Sequence, residues 1–466
     1  MLKSLLLGTI AMVAAASCGA VRADPAPPWL AAWTAAPAGT TGIIVPGTQT
    51  IRDIISPRRL GNTIRLHLTN RQGTLPVTFA QVFVGLQQSG AQLVANSSKP
   101  FTFAGKSSVT LLPGHDVYSD PLAYPVTSYQ KLAISMQNGD PALGIPAASS
   151  THSVSRELNY YSLGLPVAGG PLGTAGADSG DGFLPFVLTE GVTFEASWEY
   201  IAGLDVANTP ANGRARTVVA FGDSISDGLT VNPATDNTFV ENVSNLGAEQ
   251  RYEDFLQLRF NAAAKYRGFT IVNGAIAGNR LTQGPFAPFF GPKGLDRLGP
   301  DALAVPGVTD VILQLGINDI AFDVPAQTLG SHGIGLELEN AYVSAINTLH
   351  AKGVRAILST ITPARGAGVG MFSPAVNSLP GLPTPVNGGA LHGTAITDSI
   401  RREVNAWIMS TGAQLADAVV DIASCVANPH DTSFLNPAYN SGDNLHPNAL
   451  GYQAIANCVN LAAVFP

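Results

Sequence analysis

From residue 216 onward the chain alternates short apolar runs with segments of helical period, and nothing else constrains its fold as strongly. The runs fall at 217–221, 270–272, 310–315, 355–360 and 418–422 and are rich in Val, Ile, Leu and Ala. Strands without a polar face belong to a sheet that is covered on both sides, as parallel sheets are. Between the runs, Tyr252, Phe255, Leu256 and Phe260 share one helical face. So do Tyr342, Ile346 and Leu349, and again Ile400, Val404, Trp407 and Ile408. Strand–helix alternation predicts a flavodoxin-like, doubly wound α/β unit over 217–466, with functional groups at the carboxyl ends of its strands.

Residues 24–207 read differently. Ile64, Leu66 and Leu68 alternate with Arg65, His67 and Thr69, which predicts one buried and one wet face. Leu132, Ile134 and Met136 alternate in the same way, and 77–79 and 101–103 are strand-like. Turn signals at 70–73, 113–114 and 138–139 separate these runs. Short strands with regular turns predict an all-β sandwich or jelly roll. The Gly-rich stretch 164–182 reads as a flexible loop, and 208–216, with Asn208-Thr209-Pro210-Ala211-Asn212-Gly213, as a linker. A second long segment, 363–393, is rich in Gly and Pro and has no period. It follows a strand end, where a long loop is commonly functional and can overhang a site.

Residues 1–23 have the layout of a signal peptide: Lys3, an apolar stretch at 5–16 too short to span a membrane, and small residues before Asp24. The expected location is secreted or periplasmic. Cys18, in a loose lipoprotein-like box, offers lipid anchoring as the alternative. Removal of the leader leaves Cys425 and Cys458, an even pair in an oxidising compartment, expected to form a disulfide rather than to stay as free thiols. The net charge of −7, with no long basic run, argues against a nucleic-acid partner.

Four short blocks carry chemistry. Gly222-Asp223-Ser224 follows the first apolar run, so Ser224 stands at a strand-to-helix turn where its own N–H can face an oxyanion. A helix cap explains that serine equally well when it is read alone. Gly278 follows the second run, and a Gly there lets backbone approach a reacting centre. Asn318 follows the third run, and its amide can donate to a developing negative charge. Asp443-Asn444-Leu445-His446 lies near the end, where an Asp three residues before a His can reach its Nδ1 and fix the tautomer. Asp223 and Asp319 read as carboxylates that hydrogen-bond loop N–H groups.

Taken together, the blocks occur in the order Ser, Gly, Asn, His, and over 217–460 the chain resembles the SGNH hydrolases, also called GDSL esterases. Trp33-Thr34-Ala35-Ala36-Pro37, 65–73 and 116–121 are similar to the N-terminal β-domain of a secreted bacterial subgroup of that family. So are Gly278-Asn279-Arg280-Leu281 and 441–447 in the hydrolase part. The resemblance implies Ser224 as nucleophile, His446 as general base and then acid, and Asp443 as its orienter. It also implies an oxyanion hole made by the N–H groups of Ser224 and Gly278 and the Asn318 amide. The implied substrates are small-molecule, lipid or acylated-glycan esters, with no cofactor and no stable protein partner. An O-acyltransferase would use the same residues, and a non-catalytic carbohydrate-binding protein is the rival from another class. A metal site built on His430, Asp431, Asp443 and His446 lacks the usual ligand spacing.

Overall fold

The computed structural model describes residues 29–39, 47–140, 144–146, 149–163, 172–185, 197–207, 215–231, 245–285, 288–323, 333–367 and 391–466. The leader expectation for 1–23 and most of the expected linker lie outside these.

The first half is built from two antiparallel sheets. One is ordered Trp29–Thr34, Ile201–Ala207, Gly61–Thr69 and Asp116–Tyr118, with Leu122–Val126 also on Gly61–Thr69. The other centres on Thr50–Ile55, Leu132–Asn138 and Val77–Ser89. Ile64, Leu66 and Leu68 of the first sheet share one apolar core with Phe79, Val82, Val84, Ile134 and Met136 of the second. This is the face that alternation in the sequence assigns to the interior.

The expectation of a wet outer face fails for Leu132–Asn138. Ala133 is also buried, in a second cluster with Ile54, Leu172, Ala177 and Phe183. The described part of the Gly-rich stretch supplies that cover. It carries a short helix, Ala175–Asp178, capped by Thr174. Arg52 Nη2 donates to Ala177 O at 3.1 Å, and its guanidinium lies 4.0 Å from the centre of the Phe183 ring. Residues 172–182 are therefore a packed element rather than a free loop. The run 101–103 is not a strand either: the strand is Lys99–Pro100, Phe101 N–H adds one bond to Val82 O, and Phe103 closes a turn with Lys106.

The second half holds a five-stranded parallel sheet. In chain order its strands are β1 (Arg216–Gly222), β2 (Phe269–Asn273), β3 (Val308–Gln314), β4 (Arg355–Ser359) and β5 (Ala418–Val420). In space they run β2-β1-β3-β4-β5, one of the two common doubly wound orders. Side chains along β1 alternate between its faces. Val219 and Phe221 join a core with helices α1 (Gly333–His350) and α2 (Ala395–Trp407) through Leu338, Tyr342, Ile400 and Val404. Val218 and Ala220 join another core, on helices Tyr252–Ala262 and Ala449–Cys458, through Leu256, Phe260, Tyr452 and Ile455. The last predicted run is shorter than expected, because Asp421 caps a helix at Ile422–Val426.

The halves are in contact. Thr34 Oγ1 donates to Asn273 O at 2.6 Å, and Ala31 belongs to the core of the second half. Arg59 donates to the carbonyls of Gly268 and Arg216.

Candidate active site

β1 ends at Gly222, and the chain turns directly into a four-residue helix, Ser224–Asp227. The turn needs glycine, because a Cβ at residue 222 would lie 2.2 Å from Ser226 Oγ and 2.7 Å from Gln314 O. Asp223 caps the helix, accepting from Ile225 N–H at 3.0 Å. Its other oxygen is buried without a partner. Burial raises this carboxyl to about 7, despite that N–H and the nearby His446.

The loop 440–447 brings His446 to Ser224. It is tied across its neck, where Ser441 N–H donates to His446 O at 2.9 Å, and Leu445 anchors it in the core. Asn444 takes a left-handed conformation, with φ of 61°. Asp443 Oδ1 accepts from the N–H groups of Leu445 and His446 at 2.9 and 2.8 Å. Asp443 Oδ2 lies 2.5 Å from His446 Nδ1, and His446 Nε2 lies 2.9 Å from Ser224 Oγ. With Nδ1–H donated to the carboxylate, Nε2 carries the lone pair that accepts from the serine hydroxyl. Burial works to raise the Asp443 pKa, but His446 and the two N–H groups outweigh it and hold the carboxyl below its ordinary value.

The chain leaving β2 forms the second wall. Gly274 and Ile276 N–H groups donate to Ala220 O and Gly222 O. Gly278 has φ of +74°, and a Cβ there would lie 2.2 Å from the Phe290 ring, so both conformation and space demand glycine. Asn318 is the second residue of the helix Ile317–Phe322, which follows β3. Its Nδ2 donates to Asn279 O at 3.1 Å, and its Oδ1 lies 3.0 Å from His392 Nε2. Asn318 is thus held beside the loop of Gly278 with one amide hydrogen uncommitted. Asp319 accepts from the N–H groups of Leu281 and Thr282 at 2.9 and 2.8 Å, and burial raises it to about 6.

Three buried residues that the sequence did not single out tie these pieces together. Arg297 donates to Gly222 O, Gly274 O and Asn279 Oδ1, joining the Gly222–Ser224 turn to the second wall. His392 belongs to a short turn, Leu391–Gly393, and burial, followed by the neighbouring His446, lowers it to about 3, so it donates to Asn318 as a neutral ring. His152 comes from the first half and lies 3.0 Å from Asp227 Oδ1. None carries a local signal: their contacts reach across 75, 74 and 75 residues.

The two described ends of segment 363–393 meet at the site. Gly366 N–H donates to Gly393 O, and Asn444 Nδ2 donates to Gly366 O at 3.0 Å. Residues 368–390 lie outside the described residues. His430 and Asp431 are exposed, and among the described residues no group of three His, Cys, Asp or Glu could hold a metal ion. Cys425 and Cys458 are joined, with Cα atoms 6.2 Å apart, and bracket the base loop. Among the described residues no helix is long and apolar enough to cross a membrane.

Residues 220–454 match the GDSL-like Lipase/Acylhydrolase family, a span that holds all four blocks. The chain belongs to that family. It is an ester hydrolase. Similar solved structures include an acetyl xylan esterase from Geobacillus stearothermophilus, at 20% identity over 54% of this chain and 96% of that one, TM-score 0.34. A GDSL-like lipase from Bacteroides thetaiotaomicron is 17% identical over 53% and 87%, TM-score 0.32. An alpha/beta hydrolase enzyme from the metagenome of Lake Arreo, Spain, is 19% identical over 54% and 96%, TM-score 0.35. No curated protein matches the chain.

Proposed function

We propose that this family member hydrolyses carboxylic esters through an acyl-enzyme formed on Ser224. The observation that carries the reading is the hydrogen-bonded series from Asp443 through His446 to Ser224, at 2.5 and 2.9 Å. Ser224 Oγ attacks the ester carbonyl as its proton passes to His446 Nε2. The oxyanion is met by the N–H groups of Ser224 and Gly278 and by the uncommitted hydrogen of Asn318 Nδ2. Collapse breaks the ester C–O bond, and His446 returns the proton to the departing alcohol. Water then attacks the acyl-serine with His446 as base, releasing the acid and restoring the serine.

The substrate is an ester of a small molecule, a lipid or an acylated glycan. We also propose that the chain is exported, a reading supported by the leader-like residues 1–23 and the Cys425–Cys458 bond. In this reading 24–207 forms a β-sandwich domain, 208–216 a linker and 217–466 the hydrolase domain.

The test is hydrolysis of p-nitrophenyl acetate and butyrate by the wild type and by Ser224→Ala. The variant is expected to lose at least about 10⁴-fold in kcat with its fold intact. Wild-type turnover in Ser224→Ala would remove Ser224 from the chemistry.

A further inference from the structure

Resting on that reading, we propose that His152 of the N-terminal half is a positioning residue for ester hydrolysis, acting through Asp227 on the loop that carries Gly278.

His152 stands on a two-residue strand, Thr151–His152, paired with Trp198–Glu199. Its ring is buried and uses both nitrogens. Nδ1 lies 2.8 Å from Ala36 O, and Nε2 lies 3.0 Å from Asp227 Oδ1 and 3.2 Å from Val154 O. The three partners are two backbone carbonyls and a carboxylate, an arrangement that favours a proton on each ring nitrogen. Burial opposes that charge and so does Arg251, but Asp227 and the Ala36 carbonyl outweigh them and raise the pKa.

Asp227 is the last residue of the helix that Ser224 begins, and its Oδ2 accepts from Ala277 N–H at 3.0 Å. Ala277 precedes Gly278. One carboxylate therefore links the nucleophile helix to the second wall, and His152 holds that carboxylate in place. An independent contact points the same way: Ala36 and Ala38, from the segment that accepts the Nδ1 bond, pack on Ile276 of the same loop. Asn279 N–H donates back to Ile276 O at 3.1 Å, so residues 276–279 are fixed on both sides of Gly278. With Asp227 unanchored, the Gly278 N–H loses its aim at a developing oxyanion, and misplacement by about 1 Å can cost about 100-fold.

The test compares His152→Gln with His152→Asn. The amide nitrogen of Gln falls where Nε2 is and can still donate to Asp227. That of Asn falls where Nδ1 is and can reach only Ala36 O. Each keeps one of the two bonds, and a role confined to stability predicts wild-type kcat in both variants below their melting transitions, whichever of the two is the less stable. Positioning predicts that the Asn variant loses about 10- to 100-fold in kcat with KM within about threefold. The Gln variant should keep most of the turnover. Affinity for a boronic acid, which forms a tetrahedral adduct on the serine, should fall in parallel with kcat. Leu66→Ala, a core change in the same half, controls for destabilisation and should keep kcat below its melting transition.

Equal kcat in the Gln and Asn variants, or wild-type kcat in His152→Asn, overturns the proposal. If Ser224→Ala is inactive in the same series, the esterase reading stands when this one falls. If Ser224→Ala is active, that reading itself has failed.

Discussion

Removing the Cys425–Cys458 bond should lower the unfolding temperature substantially while leaving catalysis intact in the cold. The bond links residues 33 apart in sequence. Closing a loop of that size removes roughly 12–13 cal/mol/K of entropy from the unfolded chain, or about 3.7 kcal/mol at 25 °C. In a cooperative unit of about 250 residues, each kcal/mol moves Tm by about 2–4 °C, which predicts a fall of roughly 7–15 °C. Both cysteines are only partly buried, so serine replaces them without stranding a polar group. The bond encloses Asp443 and His446, but the base loop has its own anchors in the Ser441–His446 bond, the Asn440 side chain and buried Leu445. The Cys425→Ser/Cys458→Ser variant should therefore keep kcat within about twofold at 25 °C. Calorimetry on the variant, and on the reduced wild type, measures the shift, and p-nitrophenyl ester turnover measures the site. A shift under about 2 °C would mean that the bond does not restrain the unfolded chain as the loop-entropy argument requires. A full shift accompanied by collapse of kcat in the cold would mean that the bond shapes the base loop itself.

Asn318→Ala removes one proposed oxyanion donor and should lower kcat by about 10²- to 10³-fold with little change in KM, read by steady-state kinetics; an equal rise in KM at constant kcat would assign Asn318 to ground-state binding instead. Asp223→Asn keeps the helix cap but removes a buried carboxyl raised from 3.8 to about 7. A folded-state pKa above the unfolded one means that stability falls as pH rises from about 4 to 7, by at most about 4 kcal/mol for this group. The Tm advantage of the variant should widen between pH 5 and pH 8, and a constant difference across that range would show that Asp223 does not titrate there.

The parts of this molecule that were legible in the sequence are those set by local period. Val218 to Phe221 are apolar without alternation because each face of β1 meets a helix layer, and the run announces this. The site blocks are legible for the same reason, since each hangs on the end of such a run or on the last loop. Leu132–Asn138 marks the limit. Its alternation of large and small residues is real, but Ala133 is covered by Leu172, Ala177 and Phe183, far along the chain. A small residue under a distant cover looks the same in sequence as a small residue facing water. Arg297 and His152 show the same limit for polar groups. A lone Arg or His carries no period, and what makes each one matter is a set of partners on other elements.

The contacts of those two residues also bear on why the halves adhere. Arg297 satisfies carbonyls of both walls of the site from within the C-terminal half. Asp227, by contrast, is buried in the C-terminal half but bonded to His152 of the N-terminal one. Separating the halves would take His152 away from Asp227 and expose the face of Ile276 on which Ala36 and Ala38 pack. It would also leave Asn273 O, at the end of β2, without Thr34 Oγ1. All three losses fall on the stretch that leads into Gly278 or on the helix that begins with Ser224. The N-terminal half thus supports the C-terminal half along the stretch that leads into Gly278 and also at the parallel sheet, where Ala31 enters the core and Arg59 donates to Arg216 O, so separating the two is expected to lower turnover and melting temperature together.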